Sequence, residues 1–264
     1  MQTELNGHTL GYDIQGDDGG SPVVFIHGFP FNRHMWAPQL AALPPRYRAV
    51  TYDVRGHGES DVGSGQYTIE FFVDDLLALL DYLAIEQTVV CGLSMGGYVA
   101  LRAVERHPDR FNALVLADTK STADNDAAKV SRAAGMLSVR SHGVAAFAEG
   151  FTKAVLTPAT MEHQPDLVQR IKGMITGNET RGISGTLLAL AARTDTTAAL
   201  PHMALPALVL VGEHDTVTPP ADAEALVAAL PHATLQVIPA AAHLSNLENA
   251  AVFNEHLLTF LASL

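Results

Sequence analysis

Val89-Val90-Cys91-Gly92-Leu93-Ser94-Met95-Gly96-Gly97 is a short apolar run that ends in a Gly-x-Ser-x-Gly turn, and a periodic, alanine-rich stretch follows it from Met95 to His107, where Pro108 stops it. The order is strand, sharp turn, helix. Small neighbours at Gly92 and Gly96 permit the strained backbone that such a turn imposes on its central residue, and the Ser94 hydroxyl is held clear of the sheet. The start of the helix points free backbone N–H groups and a positive dipole end at the same spot. A hydroxyl placed there can act as a nucleophile beside an anion site. Cys91, the chain's single cysteine, excludes an internal disulfide and reads as a small residue buried in the strand.

On the amino-terminal side, residues 2 to 14 read as two antiparallel strands joined at Asn6-Gly7, a strong hairpin signal. Pro22-Val23-Val24-Phe25-Ile26 is a fully apolar strand suited to a buried parallel sheet, and it runs into His27-Gly28-Phe29-Pro30. Gly28 lets the backbone turn so that the N–H of Phe29 can face the nucleophile and share an oxyanion with the N–H of Met95. Tyr47 to Tyr52 is the next strand, and Asp53-Val54-Arg55-Gly56-His57-Gly58-Glu59-Ser60 after it reads as a compact, self-bonded turn. From Thr68, a capping residue, Ile69, Phe72, Val73, Leu76, Leu77, Leu80 and Leu83 recur at three- and four-residue spacings. That spacing predicts an amphipathic helix with Asp74, Asp75 and Asp81 on its wet face.

On the carboxyl side, Ala113 to Ala117 is another buried strand and ends at Asp118. The pattern then changes. Residues 121–200 contain only helical segments broken by glycines and prolines, and strands resume at Ala207 to Val211. The chain therefore reads as a core domain formed by residues 1–120 and 201–264, with a helical cap, residues 121–200, inserted between core strands. Met136, Leu137, Phe147, Phe151 and Met174 are large apolar residues of the cap, suited to its own core or to a pocket lining. The strand at 207–211 ends in Gly212-Glu213-His214-Asp215, and Thr218 with Pro219 reads as the cap and first position of the next helix. The last strand, Thr234 to Ile238, leads to His243, and Ser245-Asn246-Leu247-Glu248 reads as a capping box that starts the final helix.

Composition bounds what the protein meets. The 264 residues are 48% hydrophobic, enough for a sizeable core. Lys and Arg number 16 against 28 Asp and Glu, a formal charge of −12, and the basic residues do not cluster. Nucleic acid and anionic membranes are therefore disfavoured as partners. The first residues carry no basic start or apolar run, and no stretch approaches eighteen consecutive apolar residues, so a cytoplasmic, soluble protein is expected. The twelve histidines show no His-Glu-x-x-His or comparable ligand spacing. Neither a metal nor another cofactor is expected.

Ser94, an acid and His243, in that chain order and each after its own strand, resemble the α/β-hydrolase fold over nearly the whole chain. His27-Gly28-Phe29-Pro30, Asp53-x-Arg55-Gly56-x-Gly58-x-Ser60, Gly92-Leu93-Ser94-Met95-Gly96-Gly97, Gly212-x-x-Asp215 and His243 fall where that family has motifs. The resemblance implies a mostly parallel eight-stranded sheet with flanking helices and an inserted helical cap. It makes Ser94 the nucleophile, His243 the base, Asp215 the orienting acid, and the N–H groups of Phe29 and Met95 the oxyanion hole. Position alone leaves Asp118 as a second candidate acid, because it also follows a core strand. Where the family usually has Gly before the histidine, this chain has Ala242.

The elbow looks like that of 3-oxoadipate enol-lactonases and related esterases, whereas His27-Gly28-Phe29-Pro30 is similar to the cofactor-free haloperoxidase and arylesterase branch. The implied activity is hydrolysis of a small carboxylic ester or lactone through an acyl-enzyme. Perhydrolysis or carbon–carbon bond hydrolysis is the alternative chemistry, and a non-catalytic small-ligand-binding homologue the alternative of another class. A serine at 94 argues against dehalogenases and epoxide hydrolases of this fold, which use a carboxylate nucleophile. Pro30 is expected to fix the direction of the Phe29 carbonyl, an acceptor that hydrogen peroxide can use.

Overall fold

The computed structural model describes residues 1–264. One eight-stranded sheet runs in the order β1-β2-β4-β3-β5-β6-β7-β8. The strands are β1 (Gln2–Leu5), β2 (His8–Gln15), β3 (Ser21–Ile26), β4 (Tyr47–Tyr52), β5 (Thr88–Leu93), β6 (Phe111–Ala117), β7 (Ala207–Gly212) and β8 (Ala233–Ile238). β1 and β2 form the expected hairpin, β2 joins β4 antiparallel, and every other pairing is parallel. β5 and β7 are buried along their whole length, because helices cover both faces of a parallel sheet and leave no wet side for polar residues. The parallel strands all point their carboxyl ends at one edge of the sheet. There the loops after β3, β5, β6, β7 and β8 converge, and open sheets of this type build their sites there.

The helices are α1 (Ala37–Ala42), α2 (Ile69–Tyr82), α3 (Met95–Arg106), α4 (Asp126–Val155), α5 (Pro158–His163), α6 (Pro165–Thr176), α7 (Thr180–Ala191), α8 (Pro220–Ala229), α9 (Ser245–Glu248) and α10 (Ala250–Ala262). α4 to α7 lie between β6 and β7 and contribute no strand. α4 is broken at Gly143, whose φ of 82° and ψ of 168° are not helical. Phe147 and Phe151, one turn apart beyond that break, stack on each other at 5.5 Å. Both pack against the two apolar layers that cover the faces of the sheet. Leu137, by contrast, is 66% exposed.

Three local expectations give way to tertiary contacts. Asp75 is not on a wet face but 1% exposed. The Asn6-Gly7 turn and Arg55 close over that side of α2, and the carboxylate accepts from Arg55 Nε at 2.7 Å, Arg55 Nη2 at 2.6 Å and Asn6 Nδ2 at 3.0 Å. Thr218 does not cap α8, which starts at Pro220 after Pro219, because its N–H and hydroxyl are both given to Asp215. Ser245 to Glu248 form no capping box. Ser245 donates its hydroxyl to Asp118, Glu248 accepts from Thr157 and Ala242, and the final helix α10 begins after Asn249.

The Arg55 side chain is 19% exposed and that of Asp75 only 1%. Asp75→Ala should therefore destabilise the fold by about 2–3 kcal/mol in urea unfolding, somewhat less than the loss of a fully buried pair. A change below about 0.5 kcal/mol, the size expected of an exposed helix position, would restore Asp75 to a solvated face.

Candidate active site

Ser94 sits between β5 and α3 with φ 52° and ψ −111°, a conformation that a side chain normally avoids. Its surroundings hold it there. The Ser94 N–H donates to the Ala117 carbonyl at 2.9 Å, and the Ser94 carbonyl accepts from Gly97 N, Tyr98 N and Thr119 Oγ1. A side chain at position 92 would lie 2.2 Å from the Gly96 carbonyl oxygen, and one at position 96 would lie 2.1 Å from that of Ile26. Glycine is therefore obligatory on both sides of the serine. The consequence is a hydroxyl lifted off the sheet and partly open to solvent.

His243, in the loop after β8, brings Nε2 to 2.9 Å from Ser94 Oγ. Its other nitrogen, Nδ1, is 2.8 Å from Asp215 Oδ2 in the loop after β7. With Nδ1–H donated to the carboxylate, Nε2 is left to accept the serine proton. Asp215 also accepts from Val217 N, Thr218 N and Thr218 Oγ1 at 2.8 to 3.0 Å. Burial opposes its charge, but the bonds from His243 and Thr218 outweigh it and hold the carboxyl below its ordinary value. It stays an anion.

The histidine loop is tied down from outside. His243 N–H donates to the Val155 carbonyl at the end of α4, and Glu248 accepts from both Ala242 N and Thr157 N. Residue 242 lies outside the left-handed region that favours glycine, so alanine fits there. Gly212 makes room instead, since a side chain on it would meet the Ala242 carbonyl oxygen at 2.0 Å.

Asp118, the second candidate acid, does not reach His243. Its carboxyl accepts from Gly212 N at 2.8 Å and Ser245 Oγ at 2.5 Å. Complete burial, then the charge of Asp215 nearby, push its ionisation well above the ordinary range. The two aspartates thus shift in opposite directions, because the donors at Asp215 outweigh burial and those at Asp118 do not.

The N–H groups of Phe29 and Met95 donate to no protein acceptor. The loop bearing Phe29 is held by His27, whose Nδ1–H donates to Gly28 O at 2.9 Å while Nε2 accepts from Val54 N at 2.9 Å. Burial lowers the His27 imidazole to about 4, so it remains the neutral tautomer that this bridge needs. Beside it, burial lowers His57 to about 3. Phe147 and Phe151 meet the Phe29 ring edge-on at 6.2 and 5.7 Å, forming an aromatic wall beside the loop. The cluster Asp53 to Ser60 is structural, as its composition suggests. Asp53 accepts from Arg33 N–H, the Arg33 guanidinium and Glu59 N. Cys91 is buried, and burial pushes its thiol up. Glu248, Ser245 and Asn178 escape sequence reasoning because each has a partner far along the chain, Thr157, Asp118 and the Pro30 carbonyl; Thr218 escapes it because its local spacing reads as a helix cap although its bonds go to Asp215.

A family model described as the alpha/beta hydrolase fold matches residues 21–250. 3-Oxoadipate enol-lactonase 2 of Acinetobacter baylyi is 32% identical over 245 residues, 93% of this chain and 90% of that protein. A thermophilic esterase from Thermogutta terrifontis superposes with a TM-score of 0.93 at 34% identity, covering 99% of this chain and 96% of its own. The enol-lactonase from Burkholderia xenovorans LB400 gives 0.93 at 32% identity, covering 99% and 100%. The chain belongs to the α/β-hydrolase fold family. No helix is long and apolar enough to cross a membrane.

The raised ionisation of Asp118 has a definite sign. Below its unfolded value of 3.8 the group is neutral in both states; as pH rises toward the native value it ionises in the unfolded chain first, and stability is lost. Asp118→Asn, neutral throughout, should therefore gain unfolding free energy relative to the parent as pH rises from about 4 toward neutrality. Paired thermal or urea unfolding series would read this, and a difference that does not change with pH would contradict it.

Proposed function

We propose that the chain is a serine hydrolase of small carboxylic esters or lactones, working through an acyl-enzyme, with α4 to α7 as a cap over the site. The carrying observation is the unbroken hydrogen-bonded chain from Ser94 Oγ through His243 to Asp215 at 2.9 and 2.8 Å. In this reading His243 takes the proton of Ser94 as the oxygen attacks the carbonyl carbon. Phe29 N–H and Met95 N–H receive the developing oxyanion, and Asp215 stabilises the imidazolium. The imidazolium then gives its proton to the leaving alkoxide, and water repeats the steps to release the acid. The aromatic wall of Phe29, Phe147 and Phe151 suits a small apolar acyl group. The esterase and enol-lactonase relatives support an ester or lactone over other serine chemistry.

A second activity has its own observation. In the Gly28 to Pro30 segment the Phe29 carbonyl receives no protein donor, whereas the Gly28 and Pro30 carbonyls do. Hydrogen peroxide has a donor on each oxygen, so it can bond to a free carbonyl beside the acyl-enzyme while attacking it, giving a peracid and the free serine. The same acyl-enzyme thus partitions between water and peroxide.

Ser94→Ala should lower kcat for p-nitrophenyl acetate by up to about 10⁶-fold while the protein stays folded. The parent should be labelled once by a fluorophosphonate, at Ser94, in intact-mass analysis; a ligand-binding homologue would neither turn over nor be labelled. Asp215→Asn should cost up to about 10⁴-fold in kcat by leaving the wrong imidazole tautomer, and Asp118→Asn far less. The opposite ranking would reassign the acid. For the peroxide branch, Pro30→Leu frees the φ that proline fixes and should lower the ratio of peracid formation to hydrolysis. An unchanged ratio makes Pro30 a turn residue only.

A further inference from the structure

Asn178 stands at the corner between α6 and α7, on none of the loops that bear Ser94, Asp215 and His243. It is 6% exposed. Its Nδ2 donates to the Pro30 carbonyl at 2.6 Å and to the Met174 carbonyl at 3.1 Å, and its Oδ1 accepts from Gly58 N at 2.8 Å. These three bonds determine the amide's orientation. Turned over, it would set an oxygen against two carbonyls and an NH₂ against an N–H.

Pro30 has no N–H, so its carbonyl is the one backbone handle by which this residue can be held. The preceding Gly28 carbonyl is held as well, by Phe31 N at 3.0 Å and His27 Nδ1 at 2.9 Å. Phe29, whose N–H faces no protein acceptor, is therefore slung between two anchored peptide carbonyls. The His27 anchor directly follows β3 of the sheet; the Asn178 anchor lies between two of the inserted helices. Those helices have little room to shift at this corner. A side chain at Gly182 would lie 2.1 Å from the Gly56 carbonyl oxygen, and one at Gly185 would lie 2.2 Å from that of Gly65. α7 thus rests backbone to backbone on the loop between β4 and α2, and Asn178 bonds Gly58 of the same loop.

We propose that Asn178 is a positioning residue that couples the seating of the helical cap to the oxyanion hole, by fixing where the Phe29 N–H points. The proposal rests on the reading of Phe29 as an oxyanion donor. Such a donor must lie about 2.7 to 3.1 Å from the oxyanion, and displacement by about 1 Å can cost 100-fold in rate. Because the bond matters most when charge has developed, its misplacement lowers kcat and leaves KM nearly alone. A residue that only packs the cap corner would change stability without that split.

The test compares Asn178→Ala and Asn178→Asp with the parent on p-nitrophenyl acetate. Aspartate keeps the shape and the acceptor for Gly58 N–H, but places an oxygen against the Pro30 and Met174 carbonyls. Both variants should lose about 10- to 100-fold in kcat with KM within about threefold, at unchanged near-UV circular dichroism. A folded variant with kcat within about twofold of the parent, or a loss carried by KM alone, overturns the coupling. Should neither variant fold, nuclear magnetic resonance of the parent decides: the Asn178 side-chain amide protons should resist solvent exchange, and the Phe29 N–H should shift when a fluorophosphonate occupies Ser94. Free exchange of that amide, or an unmoved Phe29 signal, overturns it. Ser94→Ala judges the underlying reading separately. If Ser94→Ala is inactive and the Asn178 variants are fully active, the coupling alone fails; if Ser94→Ala is active, the serine-hydrolase reading fails and takes the coupling with it.

Discussion

The close approach of the elbow to the strand beside it is the constraint on which the rest of the structure depends. Ser94 occupies a positive φ, and the chain can turn so sharply because Gly92 leaves room for the Gly96 carbonyl and Gly96 for that of Ile26. The contact with Ile26 locks the elbow to the end of β3, the strand whose next residues are His27 to Pro30. The elbow serine and the loop that bears Phe29 are thus made neighbours by backbone packing, and a side chain at Gly28 would lie 3.5 Å from Ser94 Cβ. Strain of this kind costs on the order of 1–3 kcal/mol and persists where its surroundings over-determine it. Here they are a buried parallel strand, a helix start and four hydrogen-bond partners, three backbone groups and the Thr119 hydroxyl.

Electrostatic contrast is the second layer. Asp118 and Asp215 follow adjacent strands, and both are buried. Asp215 gathers two backbone N–H groups, a hydroxyl and an imidazole; Asp118 gathers one N–H and one hydroxyl. The first set offsets desolvation and the second does not, so the charge settles on the carboxylate that faces His243. His27 and His57 are kept neutral by burial for a different purpose, as parts of the scaffold under the Phe29 loop.

The inserted helices are attached unevenly. At the corner of α6 and α7 the contact is backbone on backbone through Gly182 and Gly185, with Asn178 bonded across it. At the other end, α4 is interrupted at Gly143, around which a side chain would meet nothing within 4 Å. Between them Phe147 and Phe151 reach down to Phe29. One end of the insertion is therefore fixed backbone on backbone, and the stretch of α4 beyond the break carries the aromatic pair that meets Phe29.

Strands, elbow, hairpin and the chain order of serine, acid and histidine were legible in the residues, because each is written in local terms: apolar runs, helical spacing, and the glycines and prolines that punctuate them. The serine needed its two flanking glycines, and each stands two residues from it in the chain. Which aspartate meets the histidine was legible only through family resemblance, since Asp118 and Asp215 each end a core strand. Tertiary structure decided the rest. Asp75 has the helical position of a wet residue, yet the hairpin and Arg55 cover it. Ser245 and Glu248 have the spacing of a capping box, yet their bonds go to Asp118, Thr157 and Ala242. Asn178 carries no local signal, and its partner Pro30 lies 148 residues away, as Ser245 lies 127 residues from Asp118. A buried hydrogen bond is satisfied by whichever group the fold brings within about 3 Å, and that neighbour is set by packing rather than by adjacency in the chain.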